Sequence, residues 1–224
     1  LPLAIKIASG KAKVLFDSHD FHPREFEEHF KWRLMHQRTI SYLCKKYIPQ
    51  TNAFTTASDG FVKAYEDFTK CTPVVVNNAA FYCELSPTAI DPNHIKLINH
   101  GAAIPTRKLE LMIEMMNFAD KKFHLDFLLI GNETYINILK KRAADNSNIR
   151  FLDPVPTNDL PRLTNNYDLG VYILNPGSLN NRILMPNKLF EYVQARIGSI
   201  VSPNQEMSKF VKKYDVGKVS KDYT

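Results

Sequence analysis

Short apolar runs alternate with amphipathic stretches along most of the chain, and this alternation carries the main signal of its fold. The strand-like runs are residues 13–17, 53–58, 72–78, 95–101, 123–131, 148–152, 167–174, 197–202 and 216–219. Apolar residues recur at helical spacing over residues 23–47, 59–70, 107–120, 133–145, 158–166, 186–196 and 204–214. Strands that alternate with helices are typical of parallel sheets joined by right-handed crossovers. The pattern therefore predicts an α/β protein with doubly wound parallel sheets.

A proline-rich and polar patch at residues 86–93 interrupts this rhythm and marks the best domain boundary. We place one Rossmann-like domain at residues 1–92 and a second at residues 93–224. The second contains nearly all the strands of a doubly wound sheet. The first begins with a helix-like stretch, LPLAIKIASG, without a strand before it, so we expect it to be partial. The chain is accordingly expected to be a fragment that lacks early strands of the first domain and closing helices of the second.

Composition narrows the choice of partners and compartment. A hydrophobic content of 44% and a charged content of 23% are typical of a globular protein, and the net charge of +6 favours anionic partners. These include phosphorylated small molecules, nucleic acid and an acidic membrane face, but no nucleic-acid-binding motif is present. The three cysteines lack metal-site spacing, which favours a reducing cytoplasm. No apolar run approaches the roughly 20 residues of a membrane span.

The stretch MPNKLFEYVQARIGSIVS places one carboxylate, Glu191, beside an apolar helical stripe. The stripe is expected to comprise Leu189, Phe190, Val193 and Ile197. A residue that directly follows Phe190 lies about 100° around the helix, at the margin of that stripe. The amino-terminal half of a helix favours an anion, and a carboxylate there pairs well with ribose hydroxyls. The alternative is a solvated surface glutamate.

Polar and glycine residues follow several predicted strands, at the edge where open α/β sheets bind ligands. The segments are NHGAAIPTR, GNET, LNPGSLNNR and the helix that carries Glu191. Neither a G-x-G-x-x-G nor a P-loop pattern is present, so a dinucleotide or P-loop site is disfavoured. The candidate residues, each with a structural alternative, are Arg107 and Lys188 for phosphate, Gly101 and Gly131 for close ligand approach, and His100 for the crevice.

Taken in order, INHGAAIPTRKLELMIEMM, FLLIGNETYINILKKRAADNSNIRFLDPVPTNDLPRLTNNYDLGVYIL, MPNKLFEYVQARIGSIVS and MSKFVKKYDVG resemble the nucleotide-sugar-binding half of a GT-B glycosyltransferase of the family-four (group 1) type. Upstream, VLFDSHDFHPREF and AFTTASDGFVKAYEDF resemble part of the acceptor-side domain of that family. The resemblance implies sugar transfer from a nucleotide-sugar donor, usually with retention of configuration. It implies neither a cofactor nor a required metal, and no metal-binding residues are assigned.

The resemblance also assigns site residues. Glu191 matches the acidic residue that binds the nucleotide ribose, and Arg107, six positions after Gly101, matches the basic residue that neutralises the diphosphate. Two positions depart from the family: its first arginine would fall at Ala102, and its upstream glutamate at Ile183. The residues that could replace these contacts are Lys188, Arg182 and Asn187. Arg107 and Lys188 would stabilise the charge of the leaving nucleoside diphosphate.

The run DSHD, residues 17–20, ends a predicted strand of the first domain. The resemblance places a similar motif at the cleft between the domains, where His19, Asp17 or Asp20 would position the donor or assist the acceptor hydroxyl. Asp20 has an alternative as the cap of the helix that follows, and we favour capping for Asp20 and a cleft position for His19.

The basic stretch 23–47 bears on membrane contact. It carries Arg24, Lys31, Arg33, Arg38, Lys45 and Lys46 against three glutamates, with Phe26, Phe30, Trp32 and Tyr42 interleaved. A basic amphipathic helix can lie on an anionic membrane, as enzymes with lipid-linked acceptors do. Packing of the aromatic residues into a core is the interpretation that we favour.

The leading hypothesis is a hexosyltransferase-type enzyme of polysaccharide or glycoconjugate assembly, cytoplasmic and open to peripheral contact with the inner membrane face. Its partners would be a nucleotide sugar and a saccharide or lipid-linked acceptor. One alternative is a nucleotide-sugar epimerase of the same architecture. Another is a non-catalytic nucleotide-binding or interaction module.

Overall fold

The computed structural model describes residues 1–223, and their helices and strands follow the predicted alternation. The strands are β1 (Leu15–Ser18), β2 (Ala53–Thr56), β3 (Val74–Val75), β4 (Ile95–Ala103), β5 (Phe123–Gly131), β6 (Ile149–Leu152), β7 (Leu169–Tyr172), β8 (Gly198–Val201) and β9 (Gly217–Val219). The helices are α1 (Pro2–Ala8), α2 (Phe30–Trp32), α3 (Arg38–Tyr47), α4 (Asp59–Thr69), α5 (Glu110–Phe118), α6 (Glu133–Arg142), α7 (Leu160–Thr164), α8 (Leu179–Ile183), α9 (Asn187–Gln194) and α10 (Gln205–Tyr214). Short 3-10 helices cover His22–Arg24, Ile48–Gln50 and Pro105–Arg107.

The chain divides into two compact units. Unit 1 comprises Leu1–Asn78, Pro176–Met185 and Asn204–Glu206, and unit 2 comprises Ala79–Asn175, Pro186–Pro203 and Met207–Thr224. The segment 79–92 thus belongs to unit 2, whereas the predicted first domain includes it. The division into evolutionary domains at residues 92 and 93 stays a prediction.

All strands of unit 2 pair in parallel in one sheet, with the order β6-β5-β4-β7-β8-β9. The chain adds strands in one direction from β4 and then returns to the other side of it with β7. This is the order of a Rossmann-type sheet, and the change of direction between β4 and β7 is its topological switch point. The predicted α/β class with parallel, doubly wound sheets is confirmed.

The main core of unit 2 lies where α5 and α6 cover one face of its sheet. Leu97 of β4, Leu125 and Phe127 of β5, Met112 of α5 and Leu139 of α6 are each at most 2% exposed. Strand β5 is buried over five consecutive residues, as expected for a strand covered on both faces. The sheet therefore holds the ends of β4 and β5 in place.

Helix α9 covers the sheet beside the switch point, and its orientation depends on Gly170. A Cβ atom at Gly170 of β7 would lie 2.3 Å from ring carbons of Tyr192, so only glycine admits this ring against the strand. The Tyr192 hydroxyl lies 3.4 Å from the carbonyl oxygen of Ile98 and 3.3 Å from that of Val171, to which it donates. The ring is fully buried and fixes which face of α9 meets the sheet.

The predicted apolar stripe of α9 is wrong for its two central residues, Phe190 and Val193, which are not fully buried. The buried residues of this helix are Lys188, Leu189 and Tyr192, whereas Phe190 and Val193 are only partly buried. Ile197, the fourth predicted member, is buried but lies beyond the end of the helix. The buried face of α9 is therefore determined by the fit of the Tyr192 ring against Gly170, and not by the most apolar set of residues.

Unit 1 has a smaller parallel sheet with the order β1-β2-β3. Its core includes Phe21, Ile48, Phe61, Tyr65 and Ile183. The Tyr65 hydroxyl is within 2.7 Å of the Ser18 hydroxyl and donates to the carbonyl oxygen of Asp20 at 2.8 Å. These bonds hold the loop after β1 against α4.

The single long helix predicted over residues 23–47 is wrong. A 3-10 helix and a turn precede α2, and a π-helical segment, Arg33–Gln37, joins α2 to α3. Because the wide turn shifts the helical register, the aromatic residues do not share one buried face. The expectation of core packing therefore fails for Phe26, Phe30 and Tyr42, which are 45%, 68% and 56% exposed.

Among residues 1–223, none of the helices combines the length and apolar character that a membrane crossing requires.

Candidate functional site

The candidate site lies in unit 2, where β4 and β7 separate. These strands pair at Leu97 with Leu169 and at Ile98 with Gly170, whereas β4 continues beside β5 as far as Ala103. Beyond Ile98, β4 therefore has no paired strand on the β7 side, and this opening between the ends of β4 and β7 is the crevice of the switch point. The Asn99 side chain donates to the Val171 carbonyl at 2.7 Å, beyond the last paired residues of the two strands. Crevices at switch points are the usual ligand sites of open α/β sheets.

Lys188, in the first turn of α9, is buried in this crevice and only 9% exposed. Its Nζ atom lies 4.8 Å from the centre of the Tyr172 ring, at the end of β7. On the β4 side, a Cβ atom at Gly101 would stand 2.9 Å from Nζ and 3.3 Å from Cε. Gly101 thus provides the space for the lysine, and its φ of +108° also requires glycine.

The surroundings of Lys188 disfavour its positive charge. Burial, together with the nearby Arg107 guanidinium, lowers the pKa of Lys188 to about 7, although Glu191 acts in the opposite direction. Folding therefore places the ammonium group of Lys188 where its positive charge raises the free energy of the folded state. A negatively charged ligand in the crevice would supply the missing counter-charge.

Glu191 follows Lys188 by one helical turn and lies next to His100 of β4. Its Oε2 atom is 3.6 Å from His100 Nδ1, and the Glu191 side chain is 18% exposed. Burial raises the pKa of Glu191, while Lys188 lowers it. The Glu191 side chain is thus mostly buried and keeps limited access to solvent.

His100 is neutral under ordinary conditions. It is 2% exposed, and burial together with Lys188 lowers its pKa to about 3. Its ring meets the Tyr192 ring edge to face at 5.3 Å, and its buried Nε2 atom has no hydrogen-bond partner among the described residues. A buried nitrogen without a partner is unusual and is often explained by a ligand or water.

The other predicted residues of this unit are less constrained. Arg107 ends the 3-10 helix after β4 and is half-buried, and Asn187 is the exposed first residue of α9. Gly131 ends β5 opposite Ala103, with a φ of +101° and nothing within 4 Å of the place of a Cβ atom. These interactions bring Lys188, Glu191, His100, Gly101 and Arg107 together, and none of them involves Gly131.

The predicted residues of unit 1 form a separate polar cluster at the end of β1. Asp17 accepts a hydrogen bond from Thr55 at 2.6 Å and lies 3.1 Å from His19 Nε2. Asn78 donates from its amide to His19 Nδ1 at 3.0 Å. Both ring nitrogens of His19 are therefore engaged, with the Nε2 proton directed at Asp17. In this arrangement the ring has no free lone pair for a substrate hydroxyl.

Asp20 takes part in this loop through its carbonyl oxygen, which accepts from Ser18 and Tyr65. The residue that flanks the following 3-10 helix is Phe21. The predicted capping role of Asp20 is therefore wrong, because Phe21 holds the N-cap position and no side chain caps this helix there. The site roles assigned to Asp17, His19 and Asp20 stay predictions.

No protein-family model matches the sequence, and no curated protein sequence matches it either. Solved structures do match. WaaG, a glycosyltransferase involved in lipopolysaccharide biosynthesis, superposes with a TM-score of 0.70 at 13% identity, covering 99% of this chain and 68% of WaaG. HepE from Anabaena in complex with UDP-glucose gives a TM-score of 0.73 at 13% identity, covering 99% and 62%. The chain has a GT-B glycosyltransferase fold.

TarM shares this GT-B fold, with a TM-score of 0.69 at 11% identity over 95% of this chain. The chain spans 41% of the TarM length and 62% of the HepE length. Its likeness to these glycosyltransferases concerns the fold, because the sequence identities are low.

Two tyrosines beside the candidate site were missed by sequence reasoning. Tyr172 lies beneath the Lys188 ammonium group, and Tyr192 packs on His100. The available signal was Gly170, a glycine inside an apolar strand, which is typical of a close approach by another group. In the sequence, Tyr172 has the pattern of an ordinary strand residue, and only the fold brings it to Lys188.

Gly101→Ala is expected to displace the Lys188 side chain. The added methyl group would approach Nζ within 2.9 Å, and alanine at a φ of +108° adds backbone strain of about 1–3 kcal/mol. The measurement is the 13Cε NMR signal of Lys188 in lysine-labelled protein, together with the free energy of unfolding. Gly131→Ala is the control, since it has the same kind of strain but no neighbour within 4 Å. The same change of the Lys188 signal in both variants would contradict the contact between Gly101 and Lys188.

Proposed function

We propose that this chain binds a nucleotide sugar in unit 2 and acts as a glycosyltransferase of the hexosyltransferase type. The observation that carries the proposal is the buried Lys188 beside Gly101, one turn before Glu191, at the switch point of a GT-B fold. A buried cation and a partly exposed carboxylate on one helix match the diphosphate and the ribose of a nucleoside diphosphate. HepE, solved with UDP-glucose, and WaaG have the same fold and support this assignment.

The proposed mechanism assigns one task to each group. Lys188, Arg107 and the amino terminus of α9 would stabilise the negative charge of the departing nucleoside diphosphate. Glu191 would accept hydrogen bonds from the ribose hydroxyls. His100 is neutral and therefore does not compete with Lys188 for the anion. We infer a retaining, metal-independent transfer in the assembly of a polysaccharide or glycoconjugate, with a saccharide or lipid-linked acceptor.

A binding module without catalysis is the second candidate, and one observation favours it. Ile183 occupies the position of the upstream glutamate in the family resemblance, and it is 8% exposed in the apolar core of unit 1. A sugar contact expected there is thus replaced by core packing. Acceptor-dependent release of nucleotide separates the two candidates, since only the transferase requires an acceptor. An epimerase would alter the sugar without one.

Glu191→Gln is expected to weaken nucleotide binding by about 10- to 100-fold, because a hydrogen bond to a charged acceptor contributes about 1.5–3 kcal/mol. The measurement is calorimetric titration with UDP, GDP and ADP. Glu66→Gln is the matched control, since Glu66 also lies on a helix but is exposed, in α4, outside the segments that border the candidate site. Failure of all three nucleotides to bind to folded protein would refute the proposed function, and equal losses in both variants would refute the role of Glu191.

A further inference from the structure

Lys188 differs from the other candidate cations in having almost no access to water. Its side chain runs between Gly101 of β4 and the Tyr172 ring of β7, and the residue is 9% exposed. Lysine is rarely buried to this degree unless a partner neutralises it. Arg107, by contrast, is only half-buried.

The groups that face Lys188 from each neighbouring element leave its charge poorly compensated. Glu191 on α9 favours the ammonium form, but it lies at the edge of the crevice and is itself disfavoured as an anion. His100 on β4 is neutral, and Arg107 after β4 repels a second cation. Tyr172 on β7 offers only its ring, and the Tyr192 hydroxyl is used by two carbonyl oxygens.

The consequence is a lysine that changes charge near neutral pH. Burial and Arg107 bring the pKa of Lys188 to about 7, so roughly half of the free protein carries the neutral amine at that pH. A diphosphate in the crevice would add negative charge next to Nζ and strongly favour its ammonium form.

Resting on the proposed function, we propose that a nucleoside diphosphate binds this site together with one proton, which Lys188 takes up. The proton comes from the solvent or buffer and joins the lone pair of the neutral Nζ atom, and no other bond forms or breaks. The site would therefore bind an anion by means of a positive charge on Lys188 that forms when the anion binds. Lys188 would then be an ammonium group throughout the life of the complex.

The expected result is an affinity that falls with rising pH. If the complex keeps the lysine charged, raising the pH from about 7.5 to about 8.5 should weaken binding of UDP roughly eightfold. Calorimetry in two buffers of different ionisation enthalpy should show uptake of nearly one proton per nucleotide at about pH 8. The nucleotide used is whichever of UDP, GDP and ADP binds most tightly.

Three variants make the assignment specific. Lys188→Met should bind more weakly, without proton uptake and without the pH dependence. Lys188→Arg should bind without proton uptake, because its charge is permanent. Lys140→Met, at an exposed position of α6, should behave like the wild type. Proton uptake that persists in Lys188→Met, or none in the wild type, would overturn the inference.

A second measurement separates this inference from the proposed function. The 13Cε signal of Lys188, identified by its loss in Lys188→Met, is titrated in free protein and again with inorganic pyrophosphate. Titration near neutral pH that moves upward with pyrophosphate supports the inference, even if no nucleotide binds and the proposed function fails. Titration near the ordinary lysine value of about 10.4, or no change with pyrophosphate, overturns it while nucleotide binding can still hold.

Discussion

Lys188→Met is expected to stabilise the free protein by about 2–4 kcal/mol near pH 7, even though it damages the proposed site. The reason is that folding lowers the pKa of this lysine from its ordinary value of 10.5 to about 7, and every tenfold change in the proton equilibrium corresponds to about 1.4 kcal/mol. Methionine retains the length of the side chain and has no charge to bury. Chemical denaturation of the wild type and the variant gives the difference in the free energy of unfolding.

The pH dependence of this difference gives a stricter test. Between pH 7 and 10.5 the unfolded chain binds more protons at this lysine than the folded one, so the stability contribution from Lys188 rises with pH across this range. Below pH 7 both states carry the proton and the cost of burial is constant. The advantage of Lys188→Met should therefore be largest at neutral or lower pH and vanish near pH 10.5.

Lys140→Met is the control, because Lys140 is exposed on α6 and its replacement should give no such trend. A destabilised Lys188→Met at pH 7 would contradict the burial of an uncompensated cation. A parallel pH profile for the wild type and Lys188→Met would contradict it as well. Either result would also remove the basis for proton-linked binding.

The regular elements of unit 2 were predictable because each has a local signal. Strand β5 has the bounds that its continuous apolar run predicts, and α9 begins within one residue of Pro186, which is favoured at a helix start. The sheet edge that carries the site was predictable for the same reason, since ligand crevices follow from the strand order. Local pattern and general topology were sufficient for these features.

The details of the site depend on contacts between residues far apart in the chain. Glu191 was placed at the margin of a stripe that the helix does not have, and its true surroundings depend on the fit between Tyr192 and Gly170. The burial of Lys188 follows from that same orientation. His19 likewise receives a hydrogen bond from Asn78, 59 residues away. Sequence periodicity contains no information on such pairs.

The stretch 23–47 shows a different limit. Its composition suits one amphipathic helix, and nothing local predicts the π-helical turn at Arg33–Gln37. Phe30, Leu34 and Met35 are exposed beside Lys31 and Arg33. Contact with an anionic membrane stays a prediction, and these residues would form the contacting surface.

Gly170→Ala is expected to lower the free energy of unfolding by about 3 kcal/mol or more and to abolish nucleotide binding. The new methyl carbon would lie 2.3 Å from the Tyr192 ring, far inside the roughly 3.5–4.0 Å separation of carbon atoms in contact. The ring is fully buried, so any movement must displace packed neighbours. Forcing it outward would break the hydroxyl bonds to Ile98 and Val171 and rotate α9 with Lys188 and Glu191.

The matched control is Gly198→Ala in the neighbouring strand β8. There the added atom would meet the end of the Leu169 side chain at 2.9 Å, and a flexible methyl group can move by a rotamer change. Tyr192→Leu tests the mechanism, because removal of the ring should make the cost of Gly170→Ala much smaller in the double variant. Additive losses would show that Gly170 matters for some reason other than the ring. In that case the orientation of α9, and with it the position of Lys188, would need another explanation.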